Sequence, residues 1–156
     1  MTIRTAREED VPHMVSLAAA KRAEYETYQP TFWRKARDAE AQQTPFFLAL
    51  LARENVVALV AEEEDAIRGF VIATLVGSPP VYDPGGLTCL VDDFTVSTSD
   101  RWPRVGKELL EEATRRAQEG GAVQVVVVCG QRDEAKRALL SQIGCSIASE
   151  WWTRPL

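Results

Sequence analysis

The sequence has only three cysteines and one histidine among its 156 residues. Cys89, Cys129 and Cys145 cannot all pair, and no two of them stand in a Cys-x-x-Cys spacing. A disulfide scaffold and a zinc ribbon are therefore improbable. His13 alone makes neither a metal site nor a catalytic triad. We expect no metal.

Long apolar runs and a basic excess are also missing. No run approaches the roughly 18–20 residues that span a bilayer, and the first residues contain no apolar signal core. Lys and Arg number 18 against 23 Asp and Glu, giving a net charge of −5 and no basic cluster. We expect a cytoplasmic protein that binds neither membranes nor nucleic acid, and a cationic or neutral small substrate stays possible.

The composition is that of an ordinary globular chain, with 46% hydrophobic and 26% charged residues. Residues 1–156 are therefore expected to form one domain. Apolar spacing predicts strands at residues 3–6, 56–62, 67–76, 87–96 and 123–128, the last covered on both faces. A short strand with Trp151 and Trp152 closes the chain.

Helices are predicted from residue 8 to the low twenties, from about 31 to before 55 with a break near Pro45, from about 105 to 120, and over 133–143. The order strand, helix, strand over residues 87–128 predicts a right-handed crossover between two parallel strands. The fold class is α/β with a mixed sheet.

The junction at residues 96–107 is the first candidate site. It combines the cations Arg101, Arg104 and Lys107 with Gly106 at the start of a helix, where free backbone amides favour an anion such as a pyrophosphate. The pattern matches neither the P-loop nor the dinucleotide glycine triplet. A plain turn with solvated arginines would look similar.

The element order and this junction resemble the GNAT N-acetyltransferase superfamily, which binds acetyl-CoA pyrophosphate with an Arg/Gln-x-x-Gly-x-Gly/Ala loop after a strand ending in valine. Val96 matches that valine, Arg101 the first motif position and Gly106 the last glycine, while Arg104 replaces the middle glycine. Gly144 stands where the family has a late Gly-Phe pair. The resemblance extends over essentially the whole chain.

The resemblance implies a mostly antiparallel sheet flanked by helices, whose fourth and fifth strands are parallel and splay apart to admit acetyl-CoA as co-substrate. The implied cofactor-binding residues are Phe94, Thr95, Val96, Arg101, Trp102, Pro103, Arg104, Val105, Gly106, Lys107 and Asp133.

The last helix departs from the family. Many members have an asparagine followed seven residues later by a tyrosine that protonates the leaving thiolate, and the equivalent positions here are Asp133 and Leu140. Because leucine cannot donate a proton, water, another residue or a later step must supply it.

Asp92 and Asp93 are the candidate catalytic residues. Neighbouring residues of a strand point to opposite faces, so only one can face the cleft unless a bulge intervenes. A carboxylate there could take a proton from an ammonium substrate, and salt bridging is the competing interpretation. The pair before Phe94 resembles the diamine (spermidine/spermine and thialysine) acetyltransferases, in which Asp92 is the closer match to the catalytic acid.

Aromatic and acidic residues crowd the break between the first two helices, where GNAT members bind the acceptor. Such aromatics could form the wall of a substrate pocket or simply belong to the core. The candidate substrate-binding residues are Glu24, Tyr25, Tyr28 and Trp33.

Together with these residues, the resemblance implies direct transfer of an acetyl group from acetyl-CoA to a primary amine of a small molecule, a polyamine or amino acid derivative. The alternative is a catalytically degenerate module that binds CoA or serves as a dimeric interaction surface, and a longer acyl group stays open as a third possibility. A homodimer is expected on family grounds.

Overall fold

A five-stranded sheet with the order β1-β2-β3-β4-β5 forms the centre of the computed structural model, which describes residues 1–156. The strands are β1 (Thr2–Thr5), β2 (Val56–Glu63), β3 (Ala66–Val76), β4 (Leu87–Val96) and β5 (Ala122–Val127). The helices are α1 (Val11–Tyr28), α2 (Ala39–Leu51), α3 (Lys107–Glu119) and α4 (Glu134–Gln142). None of these helices is both long and apolar enough to cross a membrane.

The first four strands pair antiparallel, and β4 pairs parallel with β5. Helix α3 makes the crossover between the two parallel strands, so the predicted strand–helix–strand unit is confirmed. Apolar side chains of α3 and α4 cover one face of the sheet, and those of α1 and α2 cover the other. The mixed α/β sheet with flanking helices is confirmed.

Two irregularities of β4 shape the site. Ile72 pairs with Asp93 and Ala73 pairs with Val91, so Asp92 is an extra residue in a β-bulge. Pairing with β5 ends at Val91, while β4 continues to Val96. The two strands therefore separate halfway along β4, which is the predicted splay.

Two predictions about strands are wrong. The fifth strand is not covered on both faces, since Val123 is 54% exposed. It is the edge of the sheet, and no helix covers its second face. The predicted terminal strand is also absent. Trp151 and Trp152 are 82% and 89% exposed, because that segment has no neighbouring strand with which to form hydrogen bonds.

The second helix begins at Ala39 instead of residue 31, and in the segment before it the rings of Phe32 and Trp33 pack edge-on against each other. It also continues through Pro45, where a break was predicted. Phe47 is fully buried against Phe70, and this packing offsets the hydrogen bond that proline cannot donate.

Candidate active site

A cavity of about 400 Å³ opens where β4 and β5 separate. Its walls come from α1, the segment between α1 and α2, the second half of β4 and one side chain of α4. A second groove of about 540 Å³ lies beside residues 76–84, but Asp83 is the one charged side chain that lines it. We therefore take the cavity of about 400 Å³, which several charged side chains line, as the candidate active site.

Both candidate catalytic carboxylates line this cavity. The bulge at Asp92 makes this possible, since in a regular strand adjacent side chains point to opposite faces. Asp92 is exposed, whereas Asp93 is partly buried. Burial, and then the charge of Asp92, raise the pKa of Asp93 to about 6, against opposing effects of Arg22 and Lys136.

A lysine that the sequence analysis missed fills the gap between the separated strands. Lys136 on α4 is 2% exposed, and its Nζ donates to the carbonyl oxygens of Val128 at 2.8 Å and Phe94 at 3.2 Å. Burial lowers the pKa of its ammonium to about 8. Its position three residues before Leu139, on the buried side of α4, was the available signal.

Tyr25 and Asp133 join α1 to the start of α4. The Tyr25 hydroxyl donates to Asp133 Oδ2 at 2.9 Å and accepts from the Gly130 amide at 3.1 Å. Lys21 pairs with the same carboxylate at 3.1 Å, and the Lys136 amide donates to Asp133 Oδ1. The Tyr25 hydroxyl and the Asp133 carboxylate therefore already have hydrogen-bond partners within the protein, although the Tyr25 ring lines the cavity.

The other substrate-binding candidates divide into two groups. Trp33 lines the cavity and packs edge-on against Tyr25, with ring centroids 5.0 Å apart. Glu24 and Tyr28 do not line it, and the Tyr28 hydroxyl donates to the Glu24 carboxylate. This hydrogen bond raises the pKa of Tyr28.

The candidate pyrophosphate segment forms two short helical turns, Ser99–Arg101 and Trp102–Gly106, that continue into α3. Arg104 has a negative φ, so its replacement of the motif glycine causes no backbone strain. Arg101 and Arg104 both pair with Glu63 of β2, at 2.8 and 3.2 Å. Glu63 was not predicted as a partner.

Gly106 packs against an aromatic ring. The buried ring of Trp102 packs edge-on against Phe94, with ring centroids 4.9 Å apart. The same ring lies against Gly106, where a Cβ atom would be 2.5 Å from the indole. Trp102 Nε1 is buried and has no hydrogen-bond acceptor.

The remaining cofactor candidates lie around this packing. Val96 and Val105 belong to the core, and Thr95 is buried in the cavity wall. Pro103 and Lys107 are exposed at the surface.

Acetyl-CoA, the ligand that the resemblance implies, fits this region in two respects. Beyond Val91, β4 has no strand neighbour on the β5 side, and Trp102 Nε1 is a buried donor in need of an acceptor. Against this, the Lys136 ammonium occupies the gap. The residues fit the ligand once that ammonium has left the two carbonyls.

Solved structures share this architecture. A variant of the BH1408 protein from Bacillus halodurans has a TM-score of 0.86 at 18% identity, covering 100% of this chain and 99% of its own. A predicted acetyltransferase from Clostridium acetobutylicum, solved with acetyl-CoA, has a TM-score of 0.77 at 18% identity over 99% and 95% of the two chains. The chain has the GNAT acetyltransferase fold.

The aminoglycoside N-acetyltransferase AAC(6')-Iy, solved with CoA, shares the GNAT fold with a TM-score of 0.71 at 14% identity, over 99% of this chain and 93% of its own. No protein-family model and no curated protein match the sequence. At these identities the likeness shows the GNAT fold alone.

Proposed function

We propose that this protein is an N-acetyltransferase that moves the acetyl group of acetyl-CoA to a primary amine of a small molecule, a polyamine or amino acid derivative. The observation that carries the proposal is the bulge at Asp92, which brings two carboxylates into the cavity at the strand separation. The CoA and acetyl-CoA complexes among the structures of the same fold support the choice of co-substrate.

Asp93 is the stronger candidate for the general base. A base works best when its pKa lies near the operating pH, and burial brings the pKa of Asp93 to about 6. No hydrogen-bond donor neutralises its carboxylate. Asp92, which is exposed, raises the basicity of Asp93 through its charge.

The reaction is a direct displacement. The thioester supplies the acetyl group: the amine nitrogen forms a bond to its carbonyl carbon, the C–S bond breaks, and the sulfur leaves with the bonding electrons. Asp93 accepts the proton lost by the amine, directly or through a water. Leu140 cannot return a proton to the thiolate, so that proton comes from solvent.

Backbone groups of β4 at Phe94 and Val96 would hold the pantetheine arm in the gap, and residues 101–107 would hold the pyrophosphate. Two of the cations there, Arg101 and Arg104, share Glu63, so the arginine side chains must exchange partners to reach a phosphate. The protein would act mainly by positioning the two reactants. The likeness to diamine and thialysine enzymes, a cytoplasmic location and a homodimer belong to the same proposal.

A second candidate function is a non-catalytic module of the same fold. Lys136 favours it, because a buried ammonium bonded to both separated strands blocks the route that a pantetheine arm would take. Replacing Asp92 or Asp93 by Asn or Ala would then change no enzymatic rate, because the protein would catalyse no transfer.

Thermal unfolding with acetyl-CoA, CoA and ATP distinguishes these functions. A ligand that binds only the native state raises Tm by mass action. For a transferase we expect a Tm increase with acetyl-CoA and CoA but not ATP, and thiol release with an amine that Asp93→Asn slows by about 10²-fold or more. No shift at millimolar ligand would exclude the transferase.

A further inference from the structure

The walls of the cavity carry more positive than negative charge. Five lining side chains are cationic and two are acidic. The cations are Lys21, Arg22, Arg34, Lys35 and Lys136, and the acids are Asp92 and Asp93. Because like charges repel strongly where water is partly excluded, any of these cations that lacks a partner disfavours a polyamine.

Three of the five cations already have partners within the protein. Lys21 pairs with Glu24 at 2.9 Å and with Asp133 at 3.1 Å, and Lys35 pairs with Glu26 at 3.6 Å. The α4 lysine bonds two backbone carbonyls. These three cations are therefore neutralised or solvated by the protein itself.

The two arginines of the cavity wall, Arg22 and Arg34, are not neutralised by a carboxylate of the protein. Arg22 donates through Nη1 to the Gln43 side chain, but its Nη2 is buried and has no acceptor. Arg34 makes no ion pair within the chain. A buried guanidinium N–H without an acceptor loses its hydration and gains nothing in return, so it would gain from a ligand oxygen that reached it from the cavity that Arg22 lines. A carboxylate matches the fork of a guanidinium.

We propose that Arg22 binds a carboxylate in this cavity, with Arg34 at its rim, so that the acceptor is an amino acid or amino acid derivative with a free carboxylate. The identity of the acceptor rests on the proposed acetyl transfer, whereas the carboxylate site does not. Arg22 and Asp93 line the same cavity and act on each other electrostatically. An α-amino acid carries its amine and its carboxylate on one carbon, which suits a cavity lined by both a guanidinium and a carboxylate.

The test compares free L-amino acids with their α-carboxamides, and with spermidine and putrescine, in thiol release from acetyl-CoA. We expect kcat/KM for the preferred acid to exceed that of its amide by about tenfold or more. Arg22→Gln should raise KM for the acid far more than that for the amide, and Arg22→Lys should recover part of the preference. Arg37→Gln is the control, since this arginine of the segment between α1 and α2 is exposed and does not line the cavity.

The outcomes separate the two proposals. Preference for a polyamine, or equal rates for acids and amides, overturns the carboxylate site and leaves the transferase standing. If no amine releases thiol, the transferase is excluded, and Tm measurements without acetyl-CoA decide the carboxylate site. It survives if free amino acids, but not their amides, raise the Tm of the wild type and not of Arg22→Gln, and it is wrong otherwise.

Discussion

Lys136 Nζ and the carbonyl oxygen of Val128 form a hydrogen bond of 2.8 Å in the gap between the two separated strands. The same ammonium reaches Phe94 of β4, so one side chain joins β4 to the residue that follows β5, where the pairing of the two strands has ended. A buried lysine is costly unless its charge is well solvated by the protein. Here two carbonyl dipoles supply that solvation, and the gap is where the proposed co-substrate must lie.

Shortening this side chain should therefore strengthen acetyl-CoA binding. Lys136→Ala removes the ammonium that would have to leave the gap, and we expect the Kd for acetyl-CoA, measured by calorimetry, to fall by about tenfold. Arg137→Ala, on the neighbouring exposed position of α4, should leave Kd unchanged. Weaker binding by Lys136→Ala would mean that the ammonium contacts the ligand instead of competing with it.

The buried ammonium also predicts how stability depends on pH. Its folded-state pKa of about 8 is below the ordinary value of 10.5, so the unfolded chain binds more protons between these values. The burial penalty is complete below pH 8 and is lost as pH rises towards 10.5. The wild type should gain about 2 kcal/mol relative to Lys136→Met between pH 7 and 9.5 in urea unfolding. Parallel pH curves would show that the lysine titrates normally.

The sheet and most helices could be predicted because their information is local. Alternating or continuous apolar residues identified β2, β3 and β4, and the 3.6-residue spacing of Leu109, Ala113 and Ala117 identified the buried face of α3. The strand predicted around Trp151 and Trp152 is absent for the opposite reason. Its apolar residues suit a strand, but a strand needs a neighbouring strand with which to form hydrogen bonds.

The sequence analysis named two carboxylates and several aromatic residues that line the cavity, but it could not predict how they are arranged. The Asp92 bulge depends on the register between β3 and β4, which no single segment encodes. Arg101 and Glu63 are 38 positions apart, so their ion pair follows from tertiary packing. Lys136 is buried because α4 packs against the gap between the strands, which the sequence of α4 alone does not reveal.

Gly106 should be required for packing against Trp102 as well as for any ligand. A Cβ atom at this position would lie 2.5 Å from the indole, which is itself fully buried. We expect Gly106→Ala to lower the free energy of unfolding by about 1–3 kcal/mol, measured in urea without ligand. Gly77→Ala is the matched control, because nothing lies within 4 Å of its Cβ position and its φ is not positive. Equal effects of the two substitutions would show that the indole gives way.

We expect the buried carboxylate of Asp93 to lower the free energy of unfolding while it promotes the reaction. Its folded-state pKa of about 6 is above the ordinary value of 3.8, so the folded protein binds more protons between these values and loses stability as pH rises through them. Asp93→Asn removes the buried charge. It should therefore stabilise the protein by up to about 3 kcal/mol at pH 7 and by less than about 1 kcal/mol at pH 4.

The same substitution should abolish the pH dependence of the reaction. In the wild type, kcat/KM for thiol release should rise with pH until Asp93 is ionised near pH 6, and Asp93→Asn should lower the rate and remove this ascending limb. Asp92→Asn should keep the limb but shift it to lower pH, because the charge of Asp92 helps to raise the pKa of Asp93. If Asp92→Asn loses the limb and Asp93→Asn keeps it, the roles of the two carboxylates are reversed. Gain of stability together with loss of turnover in Asp93→Asn would identify a group whose burial serves the chemistry at the expense of the fold.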